Sequence, residues 1–468
     1  MNESISSNSA ARAENRVDEV LGVFEQMFPG QVLVGLIGEC KQKFYTRLLP
    51  PLLILWGFIY QRLNADHTCD AAWSYLSSEA VQQHFGIQPA HTQPLSESTS
   101  AYVQARQRLP LELAKKALRV SAERVSEQAG EGGRWHGYRV NLFDGSTLLL
   151  SASAELVEHY GVSRNQHGSL HWPLMRLVAG FDYFSGAANG VAEGPYAFSE
   201  HPLAAELIGA LGAGWLHIGD RYLGVYHVLQ VVKAAKSEAL LRLNQRTARC
   251  LADRTLEPGD DLDVVWNKER YDQVEADLPT PEVPGRLIYV RLEKDGFRPI
   301  ELYLFTTLTD RQAFPLEELV ALYGQRWNVE LDLRHVKATL QMERLDGRSV
   351  DIVRKELLLG LLAYNLLRGL MTQAALQAGQ LPCQLSLAQC WRRTLDACRG
   401  LRPEPSPAQV EHVLTVLLGR LGRCLLPKRK RERFEPRAVW GQPRVYPRIK
   451  DSREDTRQAQ LELLKSKS

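Results

Sequence analysis

Apolar positions recur at three- and four-residue spacing from residue 17 to about 124, and this spacing predicts a helical N-terminal region. Breaks at Pro29-Gly30, at Pro50-Pro51 and in the polar loop 88–98 divide it into several helices. At residues 130–133 the run GEGG ends that pattern, and YRVNLFDGSTLLLS beyond it alternates with β-branched content, which predicts two strands joined by a turn at Asp144-Gly145. A strand over 174–185, a helix near 203–211, a short buried strand WLHIGD ending at Asp220 and a helix YLGVYHVLQVVKAA directly after it come next. Strands, then helix, strand, helix, predict a mixed sheet flanked by helices. From 240 to 309 the pattern is alternating and turn-rich, with LIYVRLEKDG and IELYLFTTL reading as a hairpin in a β-rich insertion. The segment LEELVALYGQRWNVELDLRHVKATL then reads as one long helix. Beyond Asp351 a strongly apolar helix is assigned to the core, because Arg354, Lys355, Glu356 and Arg368 interrupt it, and a last helix over 407–421 leads into a basic tail.

Composition narrows the functional classes. The 468 residues, 44% hydrophobic, exceed what one core usually spans and predict two or three domains. Basic and acidic residues nearly balance, 57 against 54, so nucleic-acid binding cannot be argued from the net charge of +3 and rests on where the charges sit. The polar start lacks an apolar signal segment, and the strongest apolar run, PLLILWGFIY, is about half the ~20 residues of a membrane span. A cytoplasmic protein without membrane contact is expected. Seven cysteines without a CxxC pair argue against a zinc ribbon or a disulfide framework and read as reduced thiols.

Candidate chemistry lies in three acids. Asp144 shares strand parity with Val140 and Leu142, and Asp220 with Leu216 and Ile218, so both carboxylates project from faces that pack inward. Two acids at the ends of buried strands are costly unless a cation neutralises them. A divalent metal site is one reading, and a helix cap is the other, weighing most at Asp220. On the long helix, Tyr323, Arg326, Glu330 and Lys337 return to within about 60° of one face, joining a carboxylate to the Arg and Lys that hold phosphates. Three carboxylates can hold two magnesium ions about 4 Å apart for chemistry on phosphodiesters, and oxygen ligands favour magnesium, with manganese substituting, over zinc.

The spacing Y-x2-R-x3-E-x6-K in YGQRWNVELDLRHVK, with LFDGSTLLL around Asp144 and HIGDRYLGVYHVL around Asp220, resembles the bacterial insertion-sequence transposases of the insertion-sequence-four type. SAYVQARQRLP, YLFTTLTD, MERLDGRS, KELLLGLLAYNLLR and FEPRAVWGQPRVYPR extend the resemblance over most of the chain from about residue 98. It implies an α/β fold: a ribonuclease-H-like mixed-sheet core over 134–235 and 315–380 with a β-rich insertion over 236–314. A disordered start over 1–16, a helical DNA-binding region over 17–130 and a helical, basic C-terminal region over 381–468 complete the expected organisation. It further implies a catalytic, metal-holding triad of Asp144, Asp220 and Glu330, with Tyr323, Arg326 and Lys337 contacting the DNA backbone. Expected partners are double-stranded DNA, as terminal inverted repeats and target, and a second copy of the chain in the DNA complex. The resemblance places such a protein in the bacterial cytoplasm, associated with the nucleoid, cutting and joining strands and sometimes passing through a hairpin. Relatives hold a flipped base on an aromatic of the insertion, for which Trp266, Tyr271 and Tyr289 are candidates, each weighed against a core role.

Residues 428–450 hold nine basic residues against Glu432 and Glu435, and Lys428, Arg429, Lys430 and Arg431 are expected to meet phosphates with strong salt dependence. His217 and His335 are read as structural or DNA-contacting rather than metal-ligating, Trp327 as a packing residue, and Asp332, on the far side of the helix from Glu330, as a weaker metal candidate. Two rivals share these residues: a catalytically silent, transposase-derived DNA-binding protein, and a metal-dependent nuclease without strand transfer.

Overall fold

A computed structural model describes residues 30–39, 49–64, 66–78, 81–82, 98–165, 168–269, 274, 276–292, 299–398 and 407–427, with isolated positions nearer the C-terminus. Ten strands form one sheet: β1 Arg139–Leu150, β2 Val162–Asn165, β3 Gly168–Asp182, β4 Ala188–Pro195, β5 Trp215–Gly219, β6 Glu238–Leu243, β7 Asp261–Trp266, β8 Val283–Leu292, β9 Ile300–Thr306 and β10 Arg344–Leu345. β1 runs antiparallel to β3, and β3 antiparallel to β4. On its other side β1 lies parallel to β5, and β5 parallel to β6. Across the sheet the order β4-β3-β1-β5-β6, three antiparallel strands followed by two parallel additions, is the ribonuclease-H-like arrangement expected from the sequence. β9 pairs antiparallel with β6, and β8 and β7 continue beyond it, so the strands of the insertion extend the same sheet.

Strand alternation distributes side chains to two cores. Val140, Leu142, Leu148, Leu177, Phe181, Leu216 and Ile218 face one layer, where the helix Val350–Gln377 packs with helices Pro51–Leu63 and Leu111–Ala129. Phe143, Val178, Ala239, Leu241 and Phe305 face the other, under helices Glu200–Leu211 and Tyr226–Ala234. The helix Val350–Gln377 is the single helix among the described residues long and apolar enough to cross a membrane, and the most apolar window of it is 94% buried in the protein interior. Arg106, from helix Ser100–Arg108, meets Glu356 of that helix at 2.5 Å with both side chains buried, so the N-terminal helices are tied to it by charge as well as by apolar contact.

Three local expectations are corrected. No turn interrupts β1 at Asp144-Gly145, because β3 pairs with it without a break from Asn141 to Leu149. The helix after Asp220 does not start at once; a turn over 221–223 intervenes and the helix begins at Tyr226. Nor is the segment carrying Glu330 one long helix. It is a helix Leu316–Gly324, a second helix Trp327–Arg334 and a π-helical turn His335–Thr339. π turns inside helices are often found at functional sites.

The described part of a second compact unit, formed by Arg291–Ile300 and Arg429–Ser468, includes a local hydrogen bond of 2.6 Å from the Ser452 hydroxyl to Asp455. The tail residues Lys428, Arg429, Lys430 and Arg431 lie outside the described residues, as does Tyr271.

Candidate active site

Adjacent parallel strands bring the first two acids together. Asp144 lies in the middle of β1, just past the point where β5 stops pairing at Leu142, and Asp220 directly follows β5. Helix Trp327–Arg334 packs on β1 and β3 and supplies Glu330. Each aspartate is held by the backbone through one oxygen. The Asp144 Oδ1 accepts from the Gly145 N–H at 2.8 Å. The Asp220 Oδ1 accepts from the Tyr222 and Leu223 N–H groups at 2.8 and 3.1 Å, so the capping reading is realised, though on a turn rather than on a helix. Glu330 Oε1 accepts from the Arg326 guanidinium at 2.8 Å, and the same guanidinium reaches Asp144 Oδ2 at 3.4 Å.

Arg326 therefore bridges two of the three acids. Its side chain is 8% exposed, against 19% for Asp144 and 45% for Glu330. Burial first, and then the neighbouring Asp220 charge, push the Asp144 carboxyl up to about 6, with Glu330 adding in the same direction, while Gly145 and Arg326 pull it down. Asp144 thus lies in the field of both other acids, although among the described residues no three ligating side chains share a single metal-binding geometry. The remaining residues of the Y-R-E-K spacing also arrive here. Tyr323 is buried, and burial pushes its phenol up to about 12, while the Arg326 guanidinium beside it pulls the other way. Lys337 donates to Ser146 of β1 at 3.4 Å, two residues beyond Asp144 on the same strand face. The sequence placed these four on one continuous helix face; in the structure the segment is broken and ends in a π turn, and Arg326 and Lys337 of it reach Asp144 and Ser146 of β1.

Other candidates fall elsewhere. Trp266 packs edge-on against Phe305 at 5.0 Å between ring centres and is 3% exposed, and Tyr289 stacks on Tyr303 at 4.5 Å and is 5% exposed. Neither offers a free ring face in this structure. Trp327, read as packing, is exposed, with the Arg326 guanidinium 4.8 Å from its ring. His217 is buried beside Asn141, and burial pushes its imidazole down to about 3, so it is neutral. Asp332 is buried against Arg368 and Tyr364, which excludes it from a solvent-facing metal site in this arrangement. Sequence reasoning missed Arg242, on β6, whose charge reaches Tyr323. A lone Arg in the apolar run EALLRL was its only signal.

Gly224 places the turn after Asp220. A Cβ there would come within 2.0 Å of the Arg242 carbonyl oxygen, a backbone atom that cannot turn aside. Gly224→Ala is expected to cost about 1–3 kcal/mol by overpacking, read as a lower melting temperature, and to weaken any function that needs Asp220.

The ribonuclease-H-like sheet thus brings Asp144 of β1, Asp220 just after β5 and Glu330 of the facing helix to one part of the molecule. Residues 135–366 match the family described as Transposase DDE domain. The chain is 27% identical over 354 residues to the Transposase InsG for insertion sequence element IS4 of Escherichia coli (strain K12), an alignment spanning 74% of this chain and 78% of that one. A cryo-EM structure of the piggyBac transposase synaptic complex with hairpin DNA superposes over 88% of this chain and 86% of that one with a TM-score of 0.40 and 8% identity. Residues 135–366 thus carry a transposase DDE domain, and the chain as a whole is similar to a transposase of the insertion-sequence-four type.

Proposed function

We propose that the protein cuts and rejoins DNA at the inverted-repeat ends of an insertion sequence, by cut-and-paste transfer and with Asp144, Asp220 and Glu330 as its catalytic acids. The observation that carries this reading is the convergence of Asp144 and Glu330 on one buried guanidinium, with the Asp220 charge near enough to raise the Asp144 carboxyl. Such a set fits hard divalent cations, magnesium or manganese, because each acid keeps one oxygen that the backbone does not hold. When bound, such ions activate the attacking oxygen and stabilise the leaving one.

The chain's own groups orient the DNA. Arg326 presents a planar fork suited to two phosphate oxygens, and a phosphate arriving there competes with Asp144 and Glu330 for it, releasing both carboxylates. Tyr323 stays protonated at neutral pH and offers its hydroxyl proton to a phosphate oxygen. Lys337 adds a point charge along the same strand. Two copies acting on two ends, with the basic stretch Lys428–Arg431 on flanking phosphates, complete the proposal; a hairpin intermediate is its second-strand step.

The test is incubation of the purified protein with DNA carrying its flanking inverted repeats, with magnesium or with a chelator. Strand breaks at the repeat ends that require the metal support the reading. Binding of the repeats without any cleavage in magnesium or manganese identifies a silent DNA-binding descendant instead, and cleavage without joining a plain nuclease.

A further inference from the structure

Glu330 sits on a helix of only two turns, Trp327–Arg334, too short to hold its shape or its rotation by intrinsic propensity. Its apolar anchors Val329 and Leu333 are buried, but apolar contacts resist rotation about a helix axis weakly because they are non-directional. The position two residues after Glu330 is turned about 200° around the axis, into the protein, and it is an aspartate. Asp332 is 3% exposed. Its Oδ1 accepts from the Arg368 guanidinium and from the Tyr364 hydroxyl, the latter at 3.0 Å, and Arg368 Nε in turn donates to that hydroxyl at 2.7 Å. His335 Nδ1 lies 3.8 Å from the same Asp332 oxygen. Arg368 and Tyr364 stand one turn apart on the buried helix Val350–Gln377. The β3–β4 turn makes room for the guanidinium through Gly186, at a φ of +70°, where a Cβ would lie 2.6 Å from it.

A buried ion pair adds little stability over well-packed apolar side chains, since desolvation offsets most of its attraction. What it adds is direction. We infer that Asp332, Arg368 and Tyr364 form a clamp that sets the rotation of the Glu330 helix, so that Asp332 is a positioning residue for the third acid rather than a spare metal ligand. The inference rests on the reading that Glu330 holds the metal. Removing the clamp leaves the apolar anchors in place and lets Glu330 swing away from Asp144.

The test uses the full chain and manganese alone, with free Mn2+ followed by its paramagnetic resonance signal. The double variant Asp332→Leu/Arg368→Met replaces the pair by apolar groups and is expected to keep its melting transition and its DNA affinity. Its Mn2+ affinity is expected to fall about 10–100-fold, the usual effect of losing a partner that orients a metal ligand, with faster amide exchange over residues 327–339. Arg368→Lys keeps the charge but loses the second hydrogen bond, and is expected to fall between the double variant and wild type. A folded double variant, or a folded Arg368→Lys, with wild-type Mn2+ affinity overturns the clamp, as does a lysine variant whose melting temperature and Mn2+ affinity fall together with its DNA binding, the signature of a merely structural pair. Glu330→Ala separates this from the underlying reading: if it binds Mn2+ as wild type does, the metal assignment itself fails. If Glu330→Ala loses Mn2+ and the double variant does not, only the clamp fails.

Discussion

Glu330→Ala is expected to reduce strand cleavage about a thousandfold or more while leaving DNA binding and folding near wild type. The size follows from what the side chain supplies: a ligand whose loss removes several kcal/mol of transition-state stabilisation, and about 4 kcal/mol is a thousandfold in rate. The selectivity follows from exposure. Glu330 is 45% exposed and its carboxylate meets Arg326 in an ion pair at the surface of the site, so truncation leaves no cavity and no buried charge without a partner. Arg326 retains Asp144. Single-turnover cleavage of a repeat-end substrate, beside a binding isotherm in calcium, measures both. Wild-type cleavage by the variant removes Glu330 from the site, and loss of binding in step with loss of cleavage assigns it to DNA contact instead.

Asp144→Asn is expected to abolish cleavage and yet to stabilise the metal-free protein at pH 7.5, by up to about 3 kcal/mol. Burial and the Asp220 charge push the Asp144 carboxyl from 3.8 up to about 6 in the folded state. A carboxyl whose folded value is raised holds its proton more tightly folded than unfolded. Between about pH 4 and 6 the folded state therefore binds the extra proton, stability falls as pH rises through that window, and above it the full penalty of the ionised group is present. Asparagine has no charge to desolvate and should flatten this dependence. Loss of the attraction to Arg326 works the other way, but at 3.4 Å that contact ranks below burial and Asp220 among the causes of the shift. Urea unfolding in a chelator at pH 4.5, 6 and 7.5 tests this. A variant less stable than wild type at pH 7.5, or one with the wild-type pH slope, refutes it. Added magnesium should stabilise wild type above pH 6 and not the variant, because a ligand stabilises only the state that binds it.

Much of the site was legible before the fold was known, and for uneven reasons. Parity along β1 and β5 was enough to aim Asp144 and Asp220 at the same layer, since side chains alternate in any strand. Glu330 was legible through its neighbours at fixed spacing. Yet the helical-wheel argument for those neighbours assumed a continuous helix, and the chain breaks at Gln325 and again in the π turn at His335. Arg326 and Lys337 reach the site because Asp144 and Ser146 of β1 lie beside the broken segment, a relation between distant residues that local periodicity does not encode. The turn expected at Asp144-Gly145 failed for a similar reason: glycine signals a turn locally, but pairing with β3 across the whole of β1 outweighs it. Arg368 was noticed only as an interruption in an apolar helix. A guanidinium in such a place requires a buried acid partner, and that requirement pointed to an acid without saying which.

What this sequence determined by itself is therefore the broad order of helical and strand regions and the inward aim of two aspartates, both set by short-range periodicity, together with a spacing around Glu330 that resembles a known family. What only the tertiary structure decided is the company those acids keep. Arg326 between Asp144 and Glu330, and Asp332 turned inward onto Arg368, depend on strands and helices nearly two hundred and about forty residues apart meeting in three dimensions. Buried charge is costly alone, so its partners are chosen by the packed fold.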